Sequence, residues 1–229
     1  MIHGLSETDK FKVLRPIIGD CDYDIYNMPI IKKTDQKSVD WDSLRAVGIQ
    51  NLSPKTKNKN ALVLMFNYDK RLQSLWNEPL KKIGLLQSCA VIATPDFSVY
   101  PGMNINLIQF NVYMNRWLGV TWQNYGCIVI PTVGWAKPDT YDICFSGIEK
   151  GSVVVISTLG CQNCKEDFLN GFEEMKKRLE PSLIIVYGEM IDGMTGTFLN
   201  IKYKDAFSSK YEQLRIPNVP VSFTIKEVA

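Results

Sequence analysis

Asp96 lies in the run Thr94-Pro95-Asp96-Phe97-Ser98, at the end of an apolar stretch, Cys89 to Thr94. A carboxylate placed directly after a buried strand, beside aromatics that exclude water, is positioned to have its pKa tuned for general acid or base work. Glu189 and Asp192 follow the last clear apolar run and can supply a second carboxylate. Two acids flanking a sugar would permit glycosidic chemistry, which depends on a separation that sequence does not give. Other polar or aromatic residues end apolar runs in the same way: Asn67 and Asp69, Ser98, Thr132 and Trp135, Ser157 and Thr158, and Tyr187. Each also has a plain structural role open to it, with Asp69 as a cap for a helix opening at Lys70 and Asp96 as a turn residue after Pro95.

A second group lies on one helical stretch. Gln109, Asn111, Asn115 and Arg116 are interleaved with Phe110, Tyr113, Trp117 and Leu118. Asn111 and Asn115 are four apart and share a face, so amides and a guanidinium can be presented together, and an Arg there can grip a phosphate or carboxylate with two prongs. The bland alternative is a solvated stripe with a surface Arg. Cys161-Gln162-Asn163-Cys164 follows an apolar run and opens a helix, the setting in which a helix N-terminus lowers a thiol pKa. With His3 the single histidine, a four-ligand zinc site would need carboxylates or distant cysteines, so no metal and no cofactor is expected. Cys89 and Cys127, each opening a strand-like run, read as small buried hydrophobes.

Several function classes lack their residues. There is no Gly-x-x-x-x-Gly-Lys-Ser/Thr loop and no Gly-x-Gly-x-x-Gly after a strand, the motifs of phosphate-loop and dinucleotide sites. One histidine at the extreme N-terminus leaves Ser-His-Asp and Cys-His mechanisms without a base. Twenty-six Lys and Arg against 24 Asp and Glu give a scattered net charge of +2, so charge does not support a nucleic-acid partner, although it does not exclude one. Six cysteines at irregular spacing make no disulfide framework. The longest apolar runs are strand-sized, so no membrane span is expected. The Met1 to Lys10 segment lacks an apolar signal core, and the expected location is the cytoplasm.

The elements that must position these residues form a repeated βα pattern. Strands are expected at Ala61 to Phe66, Cys89 to Thr94, Cys127 to Pro131, Ser152 to Ser157 and Leu183 to Tyr187, all apolar nearly throughout, as in a parallel sheet covered on both faces. Helices are expected at Lys70 to Leu86, Asn104 to Tyr125 and Lys165 to Leu179, with a short one around Thr140 to Phe145. Gly126, Gly151 and Pro181 mark the boundaries. Phe11 to Ile18 and Ala46 to Ile49 read as extra strands and Asp40 to Leu44 as a helical turn. Thr197 to Tyr203 and Val219 to Ile225 are β-rich, the latter suited to an edge by Pro217 and Pro220. Ser53 to Asn60 is a basic loop. The fold class is α/β with a mainly parallel sheet, as a small or incomplete TIM-like barrel or an open doubly wound sheet. Residues 1–229 make one domain, with a core at 61–190 and peripheral strands and loops at 1–60 and 191–229. In either form the strand C-termini converge on one face, where α/β sites lie.

The motifs in order are Thr94-Pro95-Asp96-Phe97-Ser98-Val99-Tyr100; Asn111, Tyr113, Asn115-Arg116, Gly119 and Gln123; Val129-Ile130-Pro131-Thr132-Val133-Gly134-Trp135; Cys144-Phe145-Ser146-Gly147-Ile148 with Lys150-Gly151-Ser152; Ser157-Thr158-Leu159-Gly160-Cys161; and Val186-Tyr187-Gly188. Together they resemble the domain of unknown function 4417 family over about residues 60 to 190. Its members occur in phages, plasmids and other mobile elements as well as bacterial chromosomes, so the resemblance implies a cytoplasmic protein of mobile-element biology. It adds weight to Asp96, Ser98, Asn111, Arg116, Trp135, Ser157 and Thr158, and Cys164 stands outside the pattern. Two functions are open. One is an enzyme acting on a nucleotide, nucleoside or other phosphate-bearing metabolite, with Asp96 as acid or base, Glu189 as second carboxylate and Arg116 as anion clamp. The other is a non-catalytic binding module that captures a small ligand or a host protein, in host takeover or defence inhibition.

Overall fold

The computed structural model describes residue 4, residues 6–55 and residues 58–202. His3 and the β-rich run at 219–225 lie outside them. Among the described residues seven strands run in chain order: β1 (Arg45–Gly48), β2 (Ala61–Leu64), β3 (Val91–Ala93), β4 (Val129–Ile130), β5 (Val153–Ser157), β6 (Leu183–Tyr187) and β7 (Phe198–Ile201). All are parallel to their neighbours, in two ladders, β1-β2-β3-β4 and β5-β6-β7. A bridge between Thr132 and Val155 joins the ladders, with Val155 N donating to Pro131 O and Val133 N donating to Val155 O. Spatial order therefore follows chain order without a reversal. A doubly wound sheet needs such a reversal, so that alternative is set aside.

The strands are apolar throughout because both faces are covered. Leu62, Leu64, Val91, Ala93, Ile130, Val153, Val155, Leu183, Ile185 and Tyr187 pack together on the inner face. The alternate residues Ala61, Val63, Ile92 and Val129 meet one outer group, and Val154, Ile156, Ile184 and Val186 the other, both shared with helices. The sheet also curls. Phe66, just past β2, stacks on Tyr187 of β6 with ring centroids 4.5 Å apart and planes at 8°. Four strand spacings on a flat sheet would separate them by about 19 Å. The curl is barrel-like, but among the described residues no ladder joins β1 to β7.

Among the described residues six α-helices accompany the strands: α1 (Glu7–Leu14), α2 (Asp69–Asn77), α3 (Ile83–Leu86), α4 (Ile105–Asn124), α5 (Tyr141–Cys144) and α6 (Lys165–Leu179). The expected helix at 70–86 is two helices, because Pro79 follows the end of α2, where its ring and missing N–H cannot continue a helix. The expected strand at 11–18 is a correction. Ser6 Oγ accepts from Asp9 N and opens α1, so residues 11–14 are helical, and local capping outweighs a short β-rich composition. α4 is bounded by the Asn104 cap and is buried from Met114 to Trp122 without a break. That burial on all sides, between sheet and α5, decides the fate of its polar residues. Gly126 and Gly151 take left-handed backbone before β4 and β5, as their placement required, and Glu180 does so after α6.

Candidate functional site

The buried network at the ends of β3 and β4 is the most developed polar feature of the molecule. Thr94 Oγ1 donates to Asn115 Oδ1 (2.9 Å) and accepts from Thr132 N (2.8 Å), while Thr132 Oγ1 donates to Thr94 O (2.6 Å). Asn115 Nδ2 donates to Pro95 O (2.7 Å) and Thr132 O (3.3 Å). The Arg116 guanidinium reaches Ser146 O and Cys144 O (both 2.8 Å), Thr132 O (3.2 Å) and Asn115 Oδ1 (2.6 Å). Arg116 is 2% exposed, and burial pushes its pKa down to about 10, still charged at neutral pH. Its surroundings are fixed by Asp24, whose carboxylate accepts from Ser146 Oγ, Gly147 N, Tyr26 N and Met28 N. Gly147 has φ +69°, and a Cβ there would stand 2.7 Å from Pro29 O, so the turn beside Arg116 admits only glycine.

This network holds the loop that carries Asp96. Asn115 grips Pro95 O, Asp96 N donates to Met65 O (3.2 Å), Asn111 Nδ2 donates to Ser98 O (2.7 Å), and Ser98 N donates to Asp69 Oδ1 (3.1 Å). The backbone is held at residues 95, 96 and 98, yet the half-buried Asp96 carboxylate has no hydrogen-bond or ionic partner among the described residues. Burial, and then the like charge of Asp69, push its pKa up to about 7. Asp96 is therefore close to half-protonated at neutral pH, the condition in which a carboxyl can both take and give a proton. A cavity with room for about one water adjoins Asp96, Asn111, Asn115, Arg116 and Thr132.

The other sequence-picked residues fall in different places. Asn67 donates to Gln50 Oε1 (3.2 Å) at the ends of β1 and β2. Ser157 Oγ donates to Tyr187 O (3.3 Å) and accepts from Leu159 N (3.2 Å). Thr158 is 2% exposed, and its Oγ1 has no partner among the described residues. Trp135 turns outward onto α6, where its ring lies tilted against Phe168 and fills the space over Gly171. Glu189 and Asp192 are exposed. Cys161 and Cys164 are free thiols at the α6 entrance. Burial pushes Cys161 up to about 12, the opposite direction to an activated thiol. Asp96 also contributes to that rise, which places Cys161 on its side of the mouth. Among the described residues no three His, Cys, Asp or Glu side chains gather as a metal set.

Sequence reasoning missed Asp24, Gln50 and Phe66. Phe66 was readable, since Leu62, Leu64 and Phe66 share a face at period two, whereas nothing local marks Asp24 as the anchor of a turn more than a hundred residues away. A larger cleft of about 580 Å³ lies at the other end of the strands, between residues 20–38, the end of α4 and the start of β4. Its polar side chains are largely paired with the protein itself: Lys32 with Asp22, Gln123 with the Lys32 backbone, Asn124 with Ile18 O and Asp20 O. The freer chemistry is at the strand C-termini.

The family model described as domain of unknown function (DUF4417) matches residues 22–204. The chain belongs to the DUF4417 family. Two phage relatives extend the match. The Gene 1 protein of Mycobacterium phage L5 is 33% identical over 194 residues, covering 82% of this chain and 82% of that protein. The Gene 1 protein of Mycobacterium phage D29 is 38% identical over 125 residues, covering 53% of this chain and 46% of that protein. This DUF4417 chain is thus a phage-type protein, and no solved structure matches it. Among its described residues no helix is long and apolar enough to cross a membrane.

Proposed function

We propose that this DUF4417 protein works at the C-terminal ends of its strands, as a cytoplasmic enzyme on a nucleotide, nucleoside or other phosphate-bearing metabolite, with Asp96 as the acid or base. The observation that carries the reading is a carboxylate without a partner among the described residues on a loop held at residues 95, 96 and 98. A turn residue kept for structure would spend its side chain on the backbone, as Asp24 does. Asp96 instead keeps both oxygens available, with Asp69 beside it as the second carboxylate in place of the exposed Glu189. In this scheme Asp96 takes a proton from the ligand or from a water and returns it to the departing group, and Asp69 keeps its pKa near the working pH. Asn111 and Asn115 position the loop. Arg116 acts through them, because its guanidinium is engaged by carbonyls; the phosphate or carboxylate of a ligand would meet Ser98, Ser157 and Asn67 at the rim.

A non-catalytic binding module, holding a small ligand or a host protein, is favoured by one observation. Thr94, Asn111, Asn115, Arg116 and Thr132 are all spent on the protein's own backbone, which leaves few groups for turnover. The experiment is a screen of nucleotides, nucleosides and sugar phosphates for turnover and for binding, repeated on Asp96→Asn. The enzyme reading expects turnover that falls at least ~100-fold in the variant. Binding without turnover selects the module, and a site unaffected by Asp96→Asn removes both.

A further inference from the structure

The Phe66–Tyr187 stack gives the mouth a flat surface that none of the strand-end residues requires. Tyr187 is 1% exposed and Phe66 is partly exposed, so Tyr187 is the lower member and the exposed part of the stack belongs to Phe66. The 8° angle between the rings is that of a preformed parallel pile rather than of edge-to-face core packing. Asp96 N donates to Met65 O, which sets the backbone of the Asp96 loop next to the residue preceding that ring. On the other side Asn67 Nδ2 meets Gln50 Oε1, placing a second amide at the ends of β1 and β2. A flat apolar face edged by a carboxylate and by amides suits a planar ring with hydrogen-bonding edges better than it suits a sugar or an inorganic anion.

We propose that Phe66 is a stacking platform for the base of a nucleoside or nucleotide, whose ring edge meets Asp96. The proposal rests on the ligand class of the preceding reading and narrows it to the base-bearing members. Stacking on Phe66 fixes the plane of the base, and the Asp96 carboxylate accepts from a ring or exocyclic N–H. The rim amides of Gln50 and Asn67 complete the edge. Tyr187 supports the platform from below and does not touch the ligand.

The test uses the full chain, with adenosine, guanosine, cytidine and uridine as probes and ribose 5-phosphate as a probe without a base. Saturation-transfer NMR and calorimetry at pH 7 are expected to show at least one nucleoside bound through its base protons. Phe66→Leu, which keeps the apolar filling and removes the flat face, should weaken that binding at least about tenfold, and Phe66→Tyr should retain it. If Phe66→Leu fails to fold, cross-relaxation between base protons and the Phe66 ring in the wild-type protein decides: its presence supports the platform, and its absence in a bound complex overturns it. Unchanged nucleoside affinity in a folded Phe66→Leu protein also overturns it. Ribose 5-phosphate bound in an Asp96-dependent way, with no nucleoside bound, would remove the platform and leave the broader reading standing. No binding by any of the five probes, together with turnover of some compound that carries no base, would do the same.

Discussion

At the ends of β3 and β4, Thr94, Thr132, Asn115 and Arg116 satisfy one another and the backbone, with Asp96 left over. At the ends of β5 and β6 the residue types are comparable and the outcome is different. Ser157 bridges two backbone groups, the Thr158 hydroxyl is buried without a described partner, and Glu189 is exposed. The first half spends its polar residues on rigidity and exempts one carboxylate. Among the described residues the second half has no such closed network. A polar residue at a strand end is therefore no guide to function until its hydrogen bonds are counted, and the informative ones are those left over.

The largest expected effect tests whether the first half is rigid in the way described. Arg116→Ala strips the donor from three carbonyls and from Asn115 Oδ1 inside the core, and leaves a cavity. It should cost about 3–5 kcal/mol in urea unfolding, and Arg116→Lys should recover only part of that because an ammonium cannot fork to the same acceptors. A loss below about 1 kcal/mol would mean that the network is not holding the Asp96 loop. Next in size is Gly171→Ala, where a Cβ would lie 2.1 Å from Trp135 Cδ1. Overpacking there should cost about 1–3 kcal/mol, with little effect on any binding at the mouth, since Trp135 serves the outer layer.

A smaller effect, of opposite sign, belongs to Asp96. An unfolded aspartate ionises near pH 4, and the folded carboxyl holds its proton to about 7. A carboxyl whose pKa is raised by folding binds its proton more tightly in the native state. Its burial therefore costs little below pH 4, where both states are protonated; stability is lost as pH rises from about 4 to 7, and the cost is constant above that. Asp96→Asn should be close to neutral in stability at pH 4 and stabilising by about 1–2 kcal/mol at pH 8, allowing for solvent screening at a half-buried site. Thermal melts of both proteins across that range measure the gap. A gap that does not widen with pH would return Asp96 to the role of an ordinary turn residue. A stabilising change that also abolishes binding is the signature of a group kept for function.

How much of this was legible depends on whether the information was local. The apolar runs at 61–66, 89–94, 127–131, 152–157 and 183–187 each contain a strand, and α6 has the expected bounds, because burial on both faces and helical periodicity are written along the chain. Asp96 was legible as a carboxylate after a buried strand, and its missing partner was not, since a hydrogen bond is a property of two distant segments. Arg116 was read either as a presented clamp or as a surface residue and is neither. Nothing in the spacing of Asn111, Asn115 and Arg116 says that α4 is enclosed on all sides from Met114 to Trp122. The same gap hid Asp24, whose partners Ser146 and Gly147 lie more than a hundred residues away.

The smallest effect separates the two halves most directly. Thr158 Oγ1 is buried against Gly188 with no partner among the described residues, and a buried hydroxyl left unsatisfied costs about 1–3 kcal/mol. Thr158→Val replaces that hydroxyl with a methyl of nearly the same volume, so no cavity opens and the unsatisfied oxygen is gone. The expected outcome is a gain of about 1 kcal/mol, or a melting temperature higher by about 2–4 °C for a chain of this size. The corresponding change in the satisfied half, Thr132→Val, removes the donor to Thr94 O and should be destabilising. Opposite signs for these two threonines would show that the halves differ in hydrogen bonding rather than in composition. If Thr158→Val is destabilising as well, the hydroxyl has a partner in solution, and the β5–β6 end is as fully satisfied as the other. If it is stabilising but weakens nucleoside binding, the partner is the ligand, and Thr158 joins Asp96 as a group the fold leaves free for the site.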